Sequence, residues 1–490
     1  MRNSNAQNGF GHSDFLFLIC FGFRISDFGF PAIFLLLAGC GPSVVPVRPA
    51  APPLMGVSLK LAVVDDPAIA AAARRLTDQW QADTGATLEV RETAGGDLND
   101  AKALPGDVVI CPSHLVAPLA ENNLLTALPT EISRQAAGPW AEAFELLRKR
   151  EACWGQRVVA MPLGSPQFCV YYRTDVLEKL HRAPPKTWTE YDDLSKELSD
   201  KSLGLASGSF EPLGKGWAGL MLLARAAAYA KHHDNYSSLF DTQTMTPLIA
   251  GPPFVRALEE LVACAKHGST NQLTADPAAA REAFWSGRCG MAVSWPTAAW
   301  HSKEKTTLKS VGLMELPGSD QVYNVAAKAW QPRGDEMGQR VPLLCVSGRV
   351  AVISASCARP DAAGKLILWL ADHRWSEKLL AVSPATTISG RDQTTSPQAW
   401  MEHEASAEAA RSYGVAIGDA LERPQGLEAL RLPGRADYLA ALDEAVQSAV
   451  RGNASPSDAL KRAAQQWKKI TERLGLEKQK SAWLHGQGLD

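Results

Sequence analysis

Short apolar runs alternate with longer amphipathic stretches along most of the chain. Residues 57–64 are largely apolar, which predicts a buried strand, and residues 68–84 keep Ile69, Ala73 and Trp80 near one face, which predicts a helix. The same pattern predicts further strands at 87–91, 107–111, 311–316 and 349–354, and helices at 360–372 and 457–474. An alternation of strands and helices is typical of doubly wound lobes, so we expect an α/β protein.

The length and composition of the chain narrow its class. Its 490 residues exceed the roughly 250–300 at which one hydrophobic core stops growing, so two lobes are expected. With 46% hydrophobic and 21% charged residues, the chain has the composition of a folded globular protein. Its 50 Lys and Arg residues nearly balance 52 Asp and Glu residues, which removes any bulk attraction to nucleic acid. We therefore expect no nucleic-acid partner.

The cysteine and histidine spacings do not support metal or cofactor chemistry. The nine cysteines contain no C-x-x-C pair, and the adjacent imidazoles of His232 and His233 would lie about 100° apart on a helix, unlike the i, i+4 pair of a zinc protease. Solvent exposure explains these two histidines and Asp234 better than a metal does. If the chain is exported, Cys153 and Cys169 could pair, but spacing alone does not decide this. We expect no metal and no cofactor.

A glycine-rich stretch at 214–219 fits the G-x-G-x-x-G spacing of dinucleotide-binding loops. The preceding residues 210–213 are a poor strand, and the bulky Trp217 stands where a phosphate would have to approach. A helix-entry loop is therefore the better interpretation. The chain also lacks a G-x-S-x-G elbow, and we expect no catalytic residue.

The first 55 residues have the pattern of an export signal followed by a tether. Residues 28–38 form an uncharged apolar run that would extend only about 16 Å as a helix, too short for a permanent membrane span. The sequence Leu-Ala-Gly-Cys at 37–40 resembles the bacterial lipobox. This resemblance implies that Cys40 is lipidated and anchors the protein to a bacterial membrane on its extracytoplasmic side. We predict a signal peptide at 1–40 and a stiff Pro-rich tether at 41–55.

The most specific pattern lies at residues 161–198. There an apolar run ends in Val-Tyr-Tyr-Arg-Thr-Asp at 170–175, and Pro-Pro-Lys-Thr-Trp-Thr-Glu follows at 184–190. Thr187 can cap the next helix, and Glu190 completes a capping box. These motifs resemble the most recognisable segment of the extracellular solute-binding proteins of ABC importers, family 1, the family of maltose-binding protein.

Three further stretches, at 283–296, 347–369 and 435–467, extend the resemblance from about residue 57 to residue 474. The resemblance implies a two-lobed periplasmic-binding-protein fold of type II. In it, each lobe is a doubly wound sheet flanked by helices, and the ligand cleft lies between the lobes. We divide the chain into a first lobe of 56–163 and 293–345, a second lobe of 164–292 and 346–475, and a polar tail at 476–490.

The resemblance also implies a function. The protein would capture a small carbohydrate-like solute by hinge closure and deliver it to the permease subunits of an ABC importer, acting as a monomer and without covalent chemistry. Two rival interpretations stay open. An exported carbohydrate-active hydrolase would need two carboxyl groups across the bound sugar. A sensory or scaffold lipoprotein would keep the fold but signal to a receptor.

Carbohydrate binding needs flat apolar faces and planar polar groups, and the sequence supplies candidates for both. Trp217, Trp295 and Trp330 stand in loop-like settings, and Trp295 is favoured because the family's matching turn borders the cleft. Asp65 and Asp66 end the first strand, where doubly wound sheets place ligands. Helix capping is an equal alternative for these two residues.

Further candidates are supported by position alone. Ser113 ends the third strand, and Ser165 and Gln167 lie at the first crossover. Arg349 follows a Gly-rich turn and could offer its planar fork to hydroxyls or to a carboxylate, although a solvent salt bridge is the plainer role. If both aspartates face the cleft, they would repel phosphate and favour a neutral sugar, a polyol or an amine.

Overall fold

The computed structural model describes residues 53–98, 101–300, 308, 310–333 and 339–489. The predicted signal peptide, the lipidation site Cys40 and nearly all of the predicted tether lie outside these residues. Within the described ranges, no helix combines the length and the apolar character that crossing a bilayer requires.

Strands and helices alternate through the described chain. In order, the strands are β1 Ser58–Val64, β2 Thr87–Thr93, β3 Val108–Pro112, β4 Leu125–Thr126, β5 Cys153–Trp154, β6 Arg157–Val158, β7 Ala160–Gly164, β8 Cys169–Arg173, β9 Ser207–Phe210, β10 Cys289–Ser294, β11 Val311–Glu315, β12 Gln321–Asn324, β13 Ala329–Pro332, β14 Leu343–Leu344, β15 Arg349–Ser354 and β16 Leu427–Glu428. The helices are α1 Pro67–Arg75, α2 Thr77–Thr84, α3 Val116–Glu121, α4 Thr130–Ser133, α5 Pro139–Glu142, α6 Glu145–Arg150, α7 Thr174–Lys179, α8 Trp188–Leu198, α9 Ala218–Ala230, α10 Pro252–Ala265, α11 Pro277–Trp285, α12 Pro360–Ala371, α13 His373–Leu380, α14 Ala407–Glu422, α15 Arg435–Val450, α16 Pro456–Leu474 and α17 Leu476–Gly486.

Local sequence signals predicted several of these boundaries. β15 has the predicted bounds, whereas the predicted helix 68–84 is divided into α1 and α2 at Leu76, whose N–H bonds back to the carbonyl of Ala73. The predicted Thr187 cap is present, and Glu190 reaches back one residue further than in a standard capping box. Thr187 Oγ1 accepts the N–H of Glu190 at 3.3 Å, and the Glu190 carboxylate accepts the N–H of Lys186 at 2.6 Å.

The first sheet has the order β2-β1-β3-β15-β4, and β7 also pairs with β15. β1 runs parallel to β2 and β3, while β15 runs antiparallel to its neighbours. Successive β1 residues face opposite sides. Leu61 and Val63 pack into the cluster that contains Ile69 and Trp80, and Ala62 and Val64 pack into the cluster that contains Val116. Helices thus cover both faces of the sheet.

The second sheet has the order β11-β8-β10-β9. β8 runs antiparallel to both β10 and β11, and β9 runs parallel to β10. All six residues of β10 are buried, as expected of a strand covered on both faces. The helix pair α9 and α10 packs against α15, and α15 packs against α16.

Two strands pair differently from the predicted division of the chain. β11 lies in the segment 293–345 that was predicted for the first lobe, yet it pairs with β8 of the second sheet. β15 lies in the segment 346–475 that was predicted for the second lobe, yet it pairs with β3 of the first sheet. Both segments are strands as predicted, but local periodicity carries no information about a partner strand far along the chain. The remaining lobe boundaries stay predictions.

The polar tail predicted at 476–490 is also corrected. Residues 476–486 form α17, in which Ala482 and Trp483 are buried. The His485 ring nitrogen Nδ1 lies 2.9 Å from the carboxylate of Glu121 on α3. The prediction was wrong because a few apolar residues on one face are enough to pack α17 against the protein, although most of its residues are polar.

Candidate functional site

Three segments of chain cross between the two sheets. Residues 165–168 join β7 to β8, and residues 316–348 join β11 to β15. Residues 381–406 join α13, which packs on the first sheet, to α14, which packs on the second. The crossovers meet so closely that a Cβ on Gly164 would lie 2.6 Å from the Cβ of Thr386. Glycine is therefore required at this point of contact.

A buried carboxylate joins the first and second crossovers. Glu151 is 1% exposed, and its Oε1 accepts the Ser165 hydroxyl at 2.7 Å and the Cys345 N–H at 3.0 Å. Burial raises the pKa of the Glu151 carboxyl, while these two donors and Arg431 oppose the rise. Gln167 donates to Ser165 at 3.1 Å, so the positional candidates of the first crossover belong to this network.

Asp66 and Arg349 form a buried ion pair at the carboxyl end of β1. Arg349 Nε donates to Asp66 Oδ2 at 3.1 Å, and the Ser383 hydroxyl donates to the same oxygen at 2.5 Å. The other oxygen, Oδ1, caps α1 by accepting the Ile69 N–H at 3.1 Å. The capping alternative for Asp66 is thus confirmed. The salt bridge of Arg349 is confirmed too, but it is buried and not exposed to solvent.

Asp65 and Ser113 flank this ion pair. Asp65 is exposed, its Oδ1 accepts the Gly95 N–H at 2.9 Å, and its carbonyl accepts Arg349 Nη2 at 3.2 Å. The Ser113 N–H donates to the carbonyl of Gly348 at 3.2 Å, and Ser113 is 1% exposed. Among the described residues, Ser113 Oγ has no hydrogen-bond partner.

Three aromatic rings pack together beside the polar group. The ring centroids of Trp217 and Trp295 lie 5.6 Å apart, and Phe168 lies 5.6 Å from Trp295 and 6.4 Å from Trp217. Trp295 Nε1 donates to the carbonyl of Pro384 at 2.9 Å, and Pro384 follows Ser383, the partner of Asp66. The aromatic cluster and the ion pair are therefore neighbours.

A second buried ion pair supports the turn that carries Trp295. Arg281 Nη1 donates to the Trp295 carbonyl at 2.9 Å, and Arg281 Nε lies 3.4 Å from Glu402 Oε1. The Tyr171 hydroxyl donates to Glu402 at 2.9 Å, and the Thr297 N–H lies 3.4 Å from the same oxygen. Burial raises the pKa of the Glu402 carboxyl to about 7, although Arg281 opposes the rise.

Trp330 does not join the other candidates. It lies on the β12–β13 hairpin, with its ring 6.0 Å from Tyr229 and 5.4 Å from Tyr323. Tyr229 follows Trp217 by twelve residues along α9, which corresponds to roughly 18 Å of helix. The loop-like composition around Trp330 reflects a hairpin, and the structure gives Trp330 an aromatic packing role there.

The glycine-rich loop at 214–219 already holds an internal anion. The Asp443 carboxylate accepts the N–H groups of Gly216 at 2.6 Å and Gly219 at 2.7 Å, at the start of α9. A phosphate bound at this helix N-terminus would have to displace that carboxylate. The interpretation as a helix-entry loop is confirmed.

The histidine pair differs from its prediction, because His232 is only 2% exposed and follows the end of α9. Its Nε2 lies 2.9 Å from Gln331 Oε1, and its Nδ1 accepts the Asp234 N–H at 3.1 Å. The rings of His232 and His233 stack 4.3 Å apart. Three ligand atoms of His232, His233 and Asp234 lie within 4.8 Å of one another, but both ring nitrogens of His232 are engaged by the chain.

All seven cysteines in the described part of the chain are free thiols, including Cys153 and Cys169.

Sequence reasoning missed four residues that shape the site. Phe168 lies inside the motif at 161–198 and could have been found as the aromatic residue that ends the first crossover. Glu151, Arg281 and Glu402 stand in polar stretches indistinguishable from solvent-facing ones, so only tertiary contacts reveal them.

Together these features define a class of protein. Two α/β lobes joined by several crossovers, with aromatic and polar side chains gathered beside them, are the architecture of a periplasmic binding protein. The bacterial extracellular solute-binding protein family matches residues 65–376, which is more than half of the chain. The chain belongs to this family, and the resemblance predicted from its motifs is confirmed.

Solved structures show the same fold. A solute-binding protein of an ABC transporter from Agrobacterium radiobacter, in complex with ribitol, is 20% identical with a TM-score of 0.62, over 85% of this chain and 100% of that one. Maltose-bound MalE3 of T. maritima is 18% identical with a TM-score of 0.61, over 84% and 100% of the two chains. The sugar-binding protein MalE of Xanthomonas citri is 16% identical with a TM-score of 0.65, over 85% and 98%. The predicted two-lobed fold is confirmed.

Proposed function

We propose that this protein captures a small sugar or polyol between its lobes and delivers it to the permease subunits of an ABC importer. The observation that carries the proposal is the Phe168, Trp217 and Trp295 cluster beside the Asp66–Arg349 ion pair. Flat aromatic faces cover the C–H surfaces of a sugar, and planar polar groups bind its hydroxyls. The structural neighbours named above include complexes with ribitol and maltose, and another holds D-mannitol.

The mechanism is closure of the lobes about the crossovers. Phe168 belongs to the first crossover and Trp295 follows a strand of the second sheet, whereas Asp66 and Arg349 belong to the first sheet. A solute that contacts both groups is held completely only when the lobes approach each other. Binding therefore shifts the population toward the closed form, which is the form a permease would recognise.

We further infer that the protein works outside the cytoplasm as a monomer, held to the membrane by a lipid on Cys40. The lipobox-like sequence at 37–40 and the Pro-rich residues that follow support this location. The tether would hold the folded lobes away from the bilayer, within reach of the permease.

The first test is a thermal-shift screen of the purified chain against ribitol, mannitol, tagatose, maltose and a wider sugar panel. A ligand present at one hundred times its Kd stabilises the folded state by about 2.7 kcal/mol, which raises the melting temperature measurably. Trp295→Ala should weaken the affinity for any solute found by at least about tenfold, because it removes a stacking face. Trp330→Ala is the matched control and should leave the affinity unchanged.

The outcomes separate the rival functions. A solute recovered chemically unchanged supports capture for transport, whereas a solute converted to product would establish the exported hydrolase. The absence of any stabilising compound in a broad panel would count against solute capture and favour a sensory or scaffold role. Equal losses in Trp295→Ala and Trp330→Ala would show that the aromatic cluster is not the binding site.

A further inference from the structure

Arg435 is a cation whose protein partners are all uncharged. It opens α15, and its Nε donates to the carbonyl of Ala429 at 3.0 Å. Its Nη2 donates to the carbonyls of Cys345 at 3.2 Å and Val346 at 3.3 Å. Among the described residues, no hydrogen bond occupies Nη1 and no carboxylate lies within ion-pair distance of this guanidinium.

Two other arginines of the site each have a buried carboxylate within ion-pair distance. Arg349 is paired with Asp66, and Arg281 is paired with Glu402. Arg435 is half-buried, and burial lowers the pKa of its guanidinium to about 10. Because no carboxylate among the described residues pairs with it, this guanidinium can bind an anion supplied from outside the chain.

The guanidinium lies close to the candidate site. Its acceptors Cys345 and Val346 belong to the second crossover, and Gly348, two residues further on, accepts the N–H of Ser113. Burial lowers the pKa of His114 to about 3, and the positive charges of Arg435 and Arg349 lower it further. His114 therefore stays neutral near pH 7 and adds no charge beside Arg435.

Two more groups suit an anion here. Ser113 Oγ is unpartnered among the described residues although the side chain is 1% exposed, and it lies 3.5 Å from the position a Cβ on Gly348 would take. The N-cap of the 16-residue helix α15 is Gly434, which has no side chain to accept the first-turn N–H groups. A helix N-terminus beside a guanidinium favours a negative group.

Of the two aspartates that would repel such a group, Asp66 is paired with a cation. The Asp66 carboxylate is bound by Arg349, Ser383 and the N-terminus of α1, and the Asp65 carboxylate accepts a backbone N–H. The predicted preference for a neutral solute or an amine rested on both carboxylates being available to the ligand. Arg435 differs from Arg349 and Arg281 in having no carboxylate within ion-pair distance among the described residues.

We propose that the solute of this protein carries a carboxylate, as a sugar acid does, and that Arg435 binds this carboxylate. The inference rests on the proposed function and specifies the chemical class of its solute. A single unneutralised guanidinium matches the single charge of a carboxylate better than the double charge of a phosphate monoester. Ser113 would supply a hydroxyl to the same end of the solute.

The test is calorimetric titration of the full chain with matched neutral and acidic solutes: glucose with glucuronate, galactose with galacturonate, and ribitol with ribonate. We expect the acid of at least one pair to bind about 10- to 100-fold more tightly than its neutral partner, because the neutral solute cannot form the charge-assisted hydrogen bond with Arg435. Arg435→Gln should remove that preference, and Arg435→Lys should retain part of it. Arg451→Gln, at the exposed far end of α15, is the matched control and should behave as the wild type.

Folding effects are controlled within the experiment. If Arg435→Gln melts at a much lower temperature than the wild type, the affinity of the wild-type protein for the acidic solute is measured at rising salt concentration instead. A contact between charges must weaken as ionic strength rises. Equal binding of neutral and acidic partners in every pair, or an acid preference that survives in Arg435→Gln, would overturn the inference and leave sugar capture standing. Tighter binding of glucose 6-phosphate than of glucuronate would overturn the assignment to a carboxylate. Failure of every solute to bind would remove the proposed function as well.

Discussion

Glu402 places a titratable group directly behind the aromatic cluster. Its side chain is fully buried, and its contacts with Arg281 and Thr297 hold both sides of the turn that begins at Trp295. Because burial outweighs the attraction of Arg281, the pKa of this carboxyl lies at about 7 in the folded protein. The turn is therefore supported by a group whose charge changes near neutral pH.

This pKa predicts how stability depends on pH. Between pH 4.5 and 7 the folded protein retains a proton on Glu402 that the unfolded chain has released. The stability contributed by this group is thus fully present below about pH 4.5 and is lost as pH rises through about 7, by an amount on the order of 3 kcal/mol. The glutamine side chain of Glu402→Gln cannot titrate. The free energy of unfolding of this variant should therefore increase relative to that of the wild type as pH rises from 5 to 8.

Urea unfolding at unit steps of pH measures this difference. The exposed Glu131 provides a control, because Glu131→Gln should follow the wild-type curve at every pH. A constant difference between Glu402→Gln and the wild type across the range would show that Glu402 is ionised throughout.

Individual residues were predictable where their role is local. The cap of Asp66 on α1 and the cap of Thr187 on α8 follow from short spacings that the sequence displays. The pairing of Asp66 with Arg349 joins residues 283 positions apart, and no local pattern encodes it. The same limit explains why Arg435 was not a candidate.

At the scale of elements, the Asp443 side chain links α15 to the loop that precedes α9. Asp443, in the middle of α15, accepts the N–H of Gly216 in the loop and the N–H of Gly219 in the first turn of α9, and so fixes the loop that carries Trp217. Burial raises the pKa of Asp443, while the N–H groups of Gly219 and Gly216 oppose the rise. One member of the aromatic cluster is therefore positioned from a neighbouring helix.

Asp443→Ala should release that loop. The loss of an N-terminal capping carboxylate costs about 1–2 kcal/mol of stability, and solute affinity should fall as well because Trp217 is no longer held in place. Asp443→Asn keeps one acceptor oxygen and should be intermediate in both measurements. Unchanged affinity in a destabilised Asp443→Ala would mean that Trp217 does not contact the solute.

Most elements could be predicted, but their pairing could not. The periodicity of β1, β3, β11 and β15 marks each as a strand, and helices such as α12 and α16 begin within one residue of their predicted starts. β11 and β15 were assigned to the wrong sheets, because hydrophobic alternation reports that a strand is buried without naming its neighbours. Family resemblance supplied the two-lobed fold that periodicity alone could not.

For the whole molecule, the proposed lipid on Cys40 predicts where the protein is found. Cys40→Ala removes the thiol that would carry the lipid, so the chain should leave the membrane fraction of bacterial cells. Fractionation with metabolic labelling by a radioactive fatty acid measures both effects. Cys153→Ala, at a free thiol in the folded region, is the matched control and should stay membrane-bound. A Cys40→Ala protein that remains in the membrane fraction would argue for another anchor.

The position of β15 in the first sheet has a consequence for how the chain is made. This strand lies between β3 on one side and β4 and β7 on the other, yet it comes from residues 349–354. A chain released after residue 348 would leave β3 with an unpaired edge and a sheet cut through its middle. The first lobe therefore cannot finish folding until more than two thirds of the protein has been synthesised. A gene fragment that ends before residue 349 would therefore lack the strand that joins β3 to β4 and β7.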